Sequence, residues 1–232
     1  MNILTLDSSQ IDGTLALFIH NKKVAEKKYS RERRFSIHLV HDIENIIKNN
    51  KFTLKDIDYF AIIIGPGSFT GLRIGLTTIK ALAWTLNKPI IPISTLRALA
   101  HNVHKDNTLI CPLIDAKQNT IYGAGYFFKN KKYEEKIPDN KYTISQFKDL
   151  LIKIDPKDVV FLGNGAAVYR TQLGDVSIED FQTITSSNIF HIAKSIITEE
   201  PKKIITEFMN LEPNYCNEEY VSFTSFPKSK MQ

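Results

Sequence analysis

The sequence predicts an α/β protein built as two mixed-sheet lobes related by internal duplication. Three observations lead there. An apolar strand ending in aspartate occurs twice, at residues 2–7 and 108–115, each followed by a polar turn and further strand patterns. A strand also runs into glycines twice, residues 60–64 into Gly65-Pro66-Gly67 and residues 159–162 into Gly163-Asn164-Gly165. The 232 residues, 43% hydrophobic and 24% charged, supply enough apolar material to bury a real core. The polar stretch 101–107 separates the two passes. Lobes are therefore expected at 1–105 and 106–222, with a tail at 223–232.

Residues 2–7 read as a buried strand ending in Asp7-Ser8-Ser9. A second strand follows over 14–19, then a turn at Asn21-Lys22 and a third strand over 23–29, an antiparallel meander. Residues 36–49 read as a helix with Ser36 as N-cap. Leu39, Ile43 and Ile46 lie on one side, and Val40 and Ile47 widen that stripe. Residues 59–64 form a fourth strand, and a long helix follows the glycines to about Leu86. Leu72, Leu76, Ile79, Ala83 and Leu86 make its core stripe. Gly71 and Gly75 sit one turn apart on another face. Glycine inside a helix costs about 1 kcal/mol relative to alanine, so a close approach by a neighbouring helix or strand is expected there. Asn87-Lys88-Pro89 stops the helix, residues 90–93 form a fifth strand, and Ser94 caps a helix through about Val103. The second pass gives strands at 108–114 and 120–128, a charged turn at 129–132, a helix at 143–152, a strand at 159–162 and a helix at 187–197.

The longest apolar runs, at 60–64 and 90–93, are far too short to span a bilayer. The start at Met1 has no basic-then-apolar leader, and Cys111 and Cys216 lack metal-ligand spacing. Reduced thiols in a cytoplasmic protein are expected. The net charge of +5 permits contact with nucleic acid but identifies no partner, because the clusters at Lys22-Lys23, Lys27-Lys28, residues 31–34 and Lys131-Lys132 carry no interleaved aromatics.

The run Gly65-Pro66-Gly67-Ser68-Phe69-Thr70-Gly71 joins a strand to a helix, a junction that suits an anion. It is not G-x-x-x-x-G-K-[ST], and Thr70 stands where the third glycine of G-x-G-x-x-G belongs. The other reading is a tight turn with close helix–strand packing. Asp7 and Asp115, ending equivalent strands, could face a cleft as metal-phosphate ligands, with Ser8 as a phosphate donor. Each could equally cap its own turn. The pairs His38/His41 and His101/His104 lack H-x-x-x-H spacing, so no metal site is expected. Neither a G-x-S-x-G elbow nor a cysteine nucleophile context is present.

With the glycine run placed, residues 63–75, ending Gly71-Leu72-Arg73-Ile74-Gly75, resemble the signature of the TsaB (YeaZ-like) family. The opening Ile3-Leu4-Thr5-Leu6-Asp7-Ser8-Ser9 is similar to that family's first strand. Pro92-Ile93-Ser94-Thr95-Leu96, Leu162-Gly163-Asn164-Gly165-Ala166 and Leu211-Glu212-Pro213-Asn214-Tyr215 also fit. One departure stands out: Phe35-Ser36 occupies the place where the family often has His-Ser. The resemblance implies a duplicated actin-like, Hsp70-like (ribonuclease H-like) fold. It also implies a catalytically inert subunit of the bacterial machinery that adds a threonylcarbamoyl group to the N6 of adenosine beside the tRNA anticodon. The partners so implied are the catalytic paralogue TsaD and a small ATPase, TsaE, with tRNA reached through the complex.

On that basis the helix at 36–49 and the helix after Gly71 are expected to meet the matching pair in TsaD. Leu39, Ile43, Ile46, Leu72, Gly75 and Ile79 are the candidate contacts, and self-association through the same surface is expected when the chain is alone. Asp7, Ser8, Asp115, Gly163 and Gly165 are read as a vestigial nucleotide cleft. No resident cofactor is expected, and a nucleotide at the partner seam is left open. Two other classes stand beside this one: an ATP-binding kinase or ATPase of the same fold, and a direct RNA-binding module favoured only by charge.

Overall fold

The computed structural model describes residues 1–10, 12–30, 35–174, 176–180 and 183–216. The basic cluster at 31–34 and the tail at 223–232 lie outside the described residues. The N-terminal half runs β1 (Ile3–Asp7), β2 (Thr14–Ile19), β3 (Lys22–Lys28), α1 (Phe35–Asn49), β4 (Tyr59–Gly65), α2 (Phe69–Leu86), β5 (Ile90–Ser94) and α3 (Thr95–Ala100). The C-terminal half runs β6 (Thr108–Asp115), β7 (Thr120–Lys129), β8 (Lys132–Thr143), α4 (Ile144–Ile154), β9 (Val159–Leu162), α5 (Asn164–Val168), α6 (Arg170–Leu173), β10 (Ser177–Glu179) and α7 (Ser186–Glu199).

The two halves have the same sheet topology. One sheet is ordered β3-β2-β1-β4-β5, the other β8-β7-β6-β9-β10. In each, the first strand pairs antiparallel with the second and parallel with the fourth, as β1 does with β2 and β4, and β6 with β7 and β9. The parallel partners are buried on both faces, so β1 and β4 read as continuous apolar runs rather than alternating ones.

Successive strand residues point to opposite faces, and this separates three cores. Ile3, Phe18, Ala61 and Ile91 face a central core with α3 and α7, and Ile110, Tyr126 and Val160 reach it from the other sheet. Leu4, Leu6, Phe60 and Ile62 face an outer core under α1 and α2. Leu109, Leu113 and Phe161 face the opposite outer core under α4, α5 and α6. The order is helices, sheet, helices, sheet, helices. The halves are thus not independent in packing: Phe190 of α7 stacks on Phe18 of β2 with centroids 4.2 Å apart and rings inclined by 7°.

Several expectations need correction. Ser36 is not an N-cap, because α1 already includes Phe35. Val40 does not widen the buried stripe but stands exposed. Ser94 caps α3 by accepting from the amides of Leu96 and Arg97, yet α3 ends at Ala100, three residues early. The counterpart of α2 in the second half is broken into α5 and α6. There Tyr169 leaves helical geometry (φ −103°, ψ 20°), and its hydroxyl donates to Asp115 at 3.1 Å. Residues 204–216 were not foreseen to return to the N-terminal half. Ile205 exchanges backbone hydrogen bonds with Ile90 at 2.8 and 2.9 Å, and Phe208 enters the core under α2.

Candidate functional site: a glycine ladder and an exposed helical face

The first strand ends at Asp7, and the chain must turn away at Ser8-Ser9. Asp7 Oδ1 holds that turn by accepting from the Ser9 amide at 2.8 Å and the Ser9 hydroxyl at 2.6 Å. Burial pushes the Asp7 carboxyl up to about 6, against the lowering effect of the Ser9 bonds. The glycine run then lies directly on this turn. A Cβ on Gly67 would stand 2.5 Å from the Ser9 carbonyl oxygen, and one on Gly71 or Gly75 would overlap the Ser8 carbonyl oxygen or hydroxyl. Three glycines four residues apart thus form a ladder, and α2 rests on the end of β1 with nothing between them.

The loop itself is held locally. Gly65 adopts φ +123°, a conformation that L side chains rarely take, and Asn214 O fills the space a Cβ would need. The Gly65-Pro66 peptide is cis, and Pro66 is buried. Ser68 caps α2 by accepting from the Gly71 amide at 3.3 Å. Phe69, Thr70 and Arg73 are exposed, and the Arg73 guanidinium lies 3.8 Å over the Phe69 ring.

The second half repeats the device. Gly163 takes φ +87°, with the Leu113 carbonyl where its Cβ would go, and a Cβ on Gly165 would meet the Leu113 and Ile114 backbone at 2.9 Å. Asp115 accepts from the Lys117 amide at 2.9 Å and from Lys117 Nζ at 2.5 Å. The Lys117 hydrogen bond is the main cause that holds the Asp115 carboxyl below its usual range.

An actin-like cleft implies a nucleotide and its metal. The residues present do not fit them. Each aspartate closes its own turn, and the glycines that would leave amide space for phosphates are filled from behind by backbone. Among the described residues no group of three or more His, Cys, Asp or Glu side chains is placed to hold a metal ion. A groove of about 1640 Å³ does exist, but between α3, α7 and the β7–β8 hairpin, away from the ladder. It presents mixed charge: Lys132 pairs with Glu199 at 3.0 Å and Arg97 with Glu200 at 2.6 Å. Both cysteines are free thiols, and burial pushes Cys216 up to about 12 and Cys111 further.

The structure places Leu39, Ile43, Ile46, Leu72, Gly75 and Ile79 inside the chain's own outer core, under α1 and α2. That stripe packs on the inward side chains of the chain's own strands, among them Leu6, Leu17 and Ile62. What the two helices leave open is different. Ile37 and Val40 on α1 are 70% exposed, and Phe69 and Trp84 on α2 are 47% and 75% exposed. The signal in the sequence was an apolar residue lying off the core stripe. Phe35, singled out in the sequence only as a departure from the family pattern, is a core residue. It is buried against Tyr29, ring centroids 3.9 Å apart, and fills the space over Gly13.

The duplicated βββαβαβα topology, two five-stranded sheets each flanked by helices, defines an actin-like fold. The chain matches the family profile described as TsaD, tRNA N6-adenosine threonylcarbamoyltransferase, over residues 22–219. It is 30% identical over 176 residues to the tRNA threonylcarbamoyladenosine biosynthesis protein TsaB of Bacillus subtilis, covering 76% of each chain. The TsaB of Escherichia coli is 30% identical over 128 residues, 54% of this chain and 55% of that one. The solved structure of YeaZ from Pseudomonas aeruginosa superposes with a TM-score of 0.72 at 18% identity, covering 86% of this chain and 93% of that chain. The chain belongs to the TsaB (YeaZ-like) family, within the wider group of TsaD-related proteins. No helix among the described residues is long and apolar enough to cross a membrane.

Proposed function

We propose that this chain is a non-catalytic subunit of the machinery that makes threonylcarbamoyladenosine in tRNA, and that it binds and activates a TsaD-type paralogue. The observation that carries the reading is the exposed apolar set Ile37, Val40, Phe69 and Trp84 on the two helices that cover one sheet. Such side chains gain by burial, and matching helices of a structural relative would bury them in a four-helix seam. The names of relatives, TsaB for some and threonylcarbamoyltransferase for others, support the kinship of the two partners. The closed glycine ladder supports a role without chemistry of its own. Activation is then a population shift: binding favours the competent conformation of the catalytic partner. An ATPase of the TsaE type joins the pair, tRNA is engaged through the complex, and the chain works in the cytoplasm.

The test mixes the chain with the TsaD-type protein of the same organism and follows complex mass and threonylcarbamoyl transfer. A complex that forms with wild type and is lost in a Val40→Glu, Trp84→Glu double variant is expected, with transfer only when both proteins are present. Transfer by this chain alone, or a complex indifferent to both substitutions, refutes the proposal.

A further inference from the structure

The segment Leu211-Glu212-Pro213-Asn214-Tyr215 touches the glycine loop at Asn214 and makes further contacts that neither the ladder nor the exposed face explains. In the structure it runs alongside α2 in the opposite direction. Lys80 Nζ donates to the carbonyls of Met209 at 2.8 Å and Leu211 at 3.1 Å. Two turns earlier on α2, Arg73 Nε donates to the Tyr215 hydroxyl at 3.0 Å. The Asn214 amide donates to Ile64 O at 2.7 Å, beside the glycine loop. Arg73 covers the Phe69 ring, and the Tyr215 ring stands 5.2 Å from it, so the exposed aromatic of the first turn is fixed from two sides.

We propose that residues 209–216 are a clasp that positions the glycine loop and the first turns of α2, and through them the α1–α2 face offered to the partner. This rests on the docking role proposed above. A helix start leaves its first amides without intrahelical partners and is prone to open. Here the bonds that oppose opening come from the far end of the chain, by way of side chains on α2's outer surface. Arg73 and Tyr215 are positioning residues: they act on the face through Phe69 and the loop.

The full-length chain carrying Tyr215→Ala or Tyr215→Phe tests this with two readouts. The first is amide hydrogen exchange of residues 67–73 in the chain alone. Loss of the hydroxyl in Tyr215→Phe speeds that exchange by about five-fold, the worth of one hydrogen bond, and Tyr215→Ala by more. The second is affinity for the TsaD-type partner, which falls in the same order, while exchange in β6 and α4 stays as in wild type. Unchanged exchange at residues 67–73 in both variants overturns the clasp. So does faster exchange with unchanged partner affinity. If Tyr215→Ala fails to fold, Tyr215→Phe alone decides. A wild-type chain with no affinity for the partner refutes the docking role instead, and leaves the exchange data to decide whether the segment holds α2.

Discussion

Gly75 of α2 lies against Ser8 at the end of β1, so closely that any Cβ there would overlap the serine hydroxyl. That hydroxyl is buried and has no hydrogen-bond partner among the described residues. The contact joins the sequence motif to the fold: α2 seats on the first strand only because glycine recurs on that face. Gly75→Ala should therefore destabilise the protein by about 1–3 kcal/mol, overpacking outweighing the roughly 1 kcal/mol gain in helix propensity. Ser8→Ala should be close to neutral, since it removes an unsatisfied donor. In the double variant the cost of alanine at 75 should shrink by about 1 kcal/mol. Denaturant unfolding of the four proteins checks this, and strict additivity would show that the two residues do not touch.

Two classes of substitution on the same helices should separate cleanly. Val40→Glu and Trp84→Glu replace exposed side chains and should shift stability by no more than about 0.5 kcal/mol. Leu39→Ala, one residue away but buried, should cost about 2–5 kcal/mol. Thermal midpoints and partner titrations on the same samples make the comparison. Loss of partner binding with an unchanged midpoint is the signature of the exposed face. Loss of both, in all three variants, would mean that the face belongs to the interior.

Phe35 is part of the core. Its ring packs on Tyr29 and closes the space over Gly13. Phe35→His would put an imidazole into that apolar site and should cost about 1–3 kcal/mol near pH 7.5, with a larger loss below pH 6.5 as the unfolded state gains a proton. Denaturation at the two pH values tests it.

The duplicated architecture was legible because it rests on local signals: apolar runs closed by Asp7 and Asp115, and strands entering glycine at Gly65 and Gly163. The close approach beneath Gly71 and Gly75 followed from the cost of glycine in a helix. What could not be read was direction. Leu39 and Val40 are neighbours of similar hydropathy, and only the placement of the sheet decides that one is buried and the other open. The return of residues 204–216 was equally hidden, since its ties, Lys80 to Met209 and Arg73 to Tyr215, span more than a hundred residues of chain. The break between α5 and α6 has no helix-breaking residue at Tyr169; it accompanies a hydroxyl bond to Asp115 that no periodicity announces.

Two buried groups contribute to acid sensitivity with opposite signs. His101 stacks on Tyr133, centroids 3.8 Å apart, with Nδ1 2.8 Å from the Arg97 carbonyl, and burial lowers its pKa to about 3. The unfolded chain binds this proton near pH 6.5, so the stability due to neutral His101 is full above that pH and is lost as pH falls from 6.5 towards 3. Asp7 works the other way. Burial raises it to about 6, so the native state holds a proton that the unfolded chain releases above 3.8, and stability falls as pH rises from 3.8 to 6. Between those values the two slopes oppose each other. Asp7→Asn keeps an oxygen to accept from Ser9 and removes the buried charge. It should gain about 1–2 kcal/mol at pH 7 and show an uncompensated loss of stability on acidification from 6 to 4. His101→Gln should show the reverse slope in that window. Partner affinity of Asp7→Asn should match wild type, because the carboxylate closes a buried turn away from the exposed face of α1 and α2. Unfolding measured from pH 4 to 8 for the three proteins, with a partner titration at pH 7.5, tests each point, and an Asp7→Asn chain that folds but no longer supports its partner would give that aspartate a role beyond the turn.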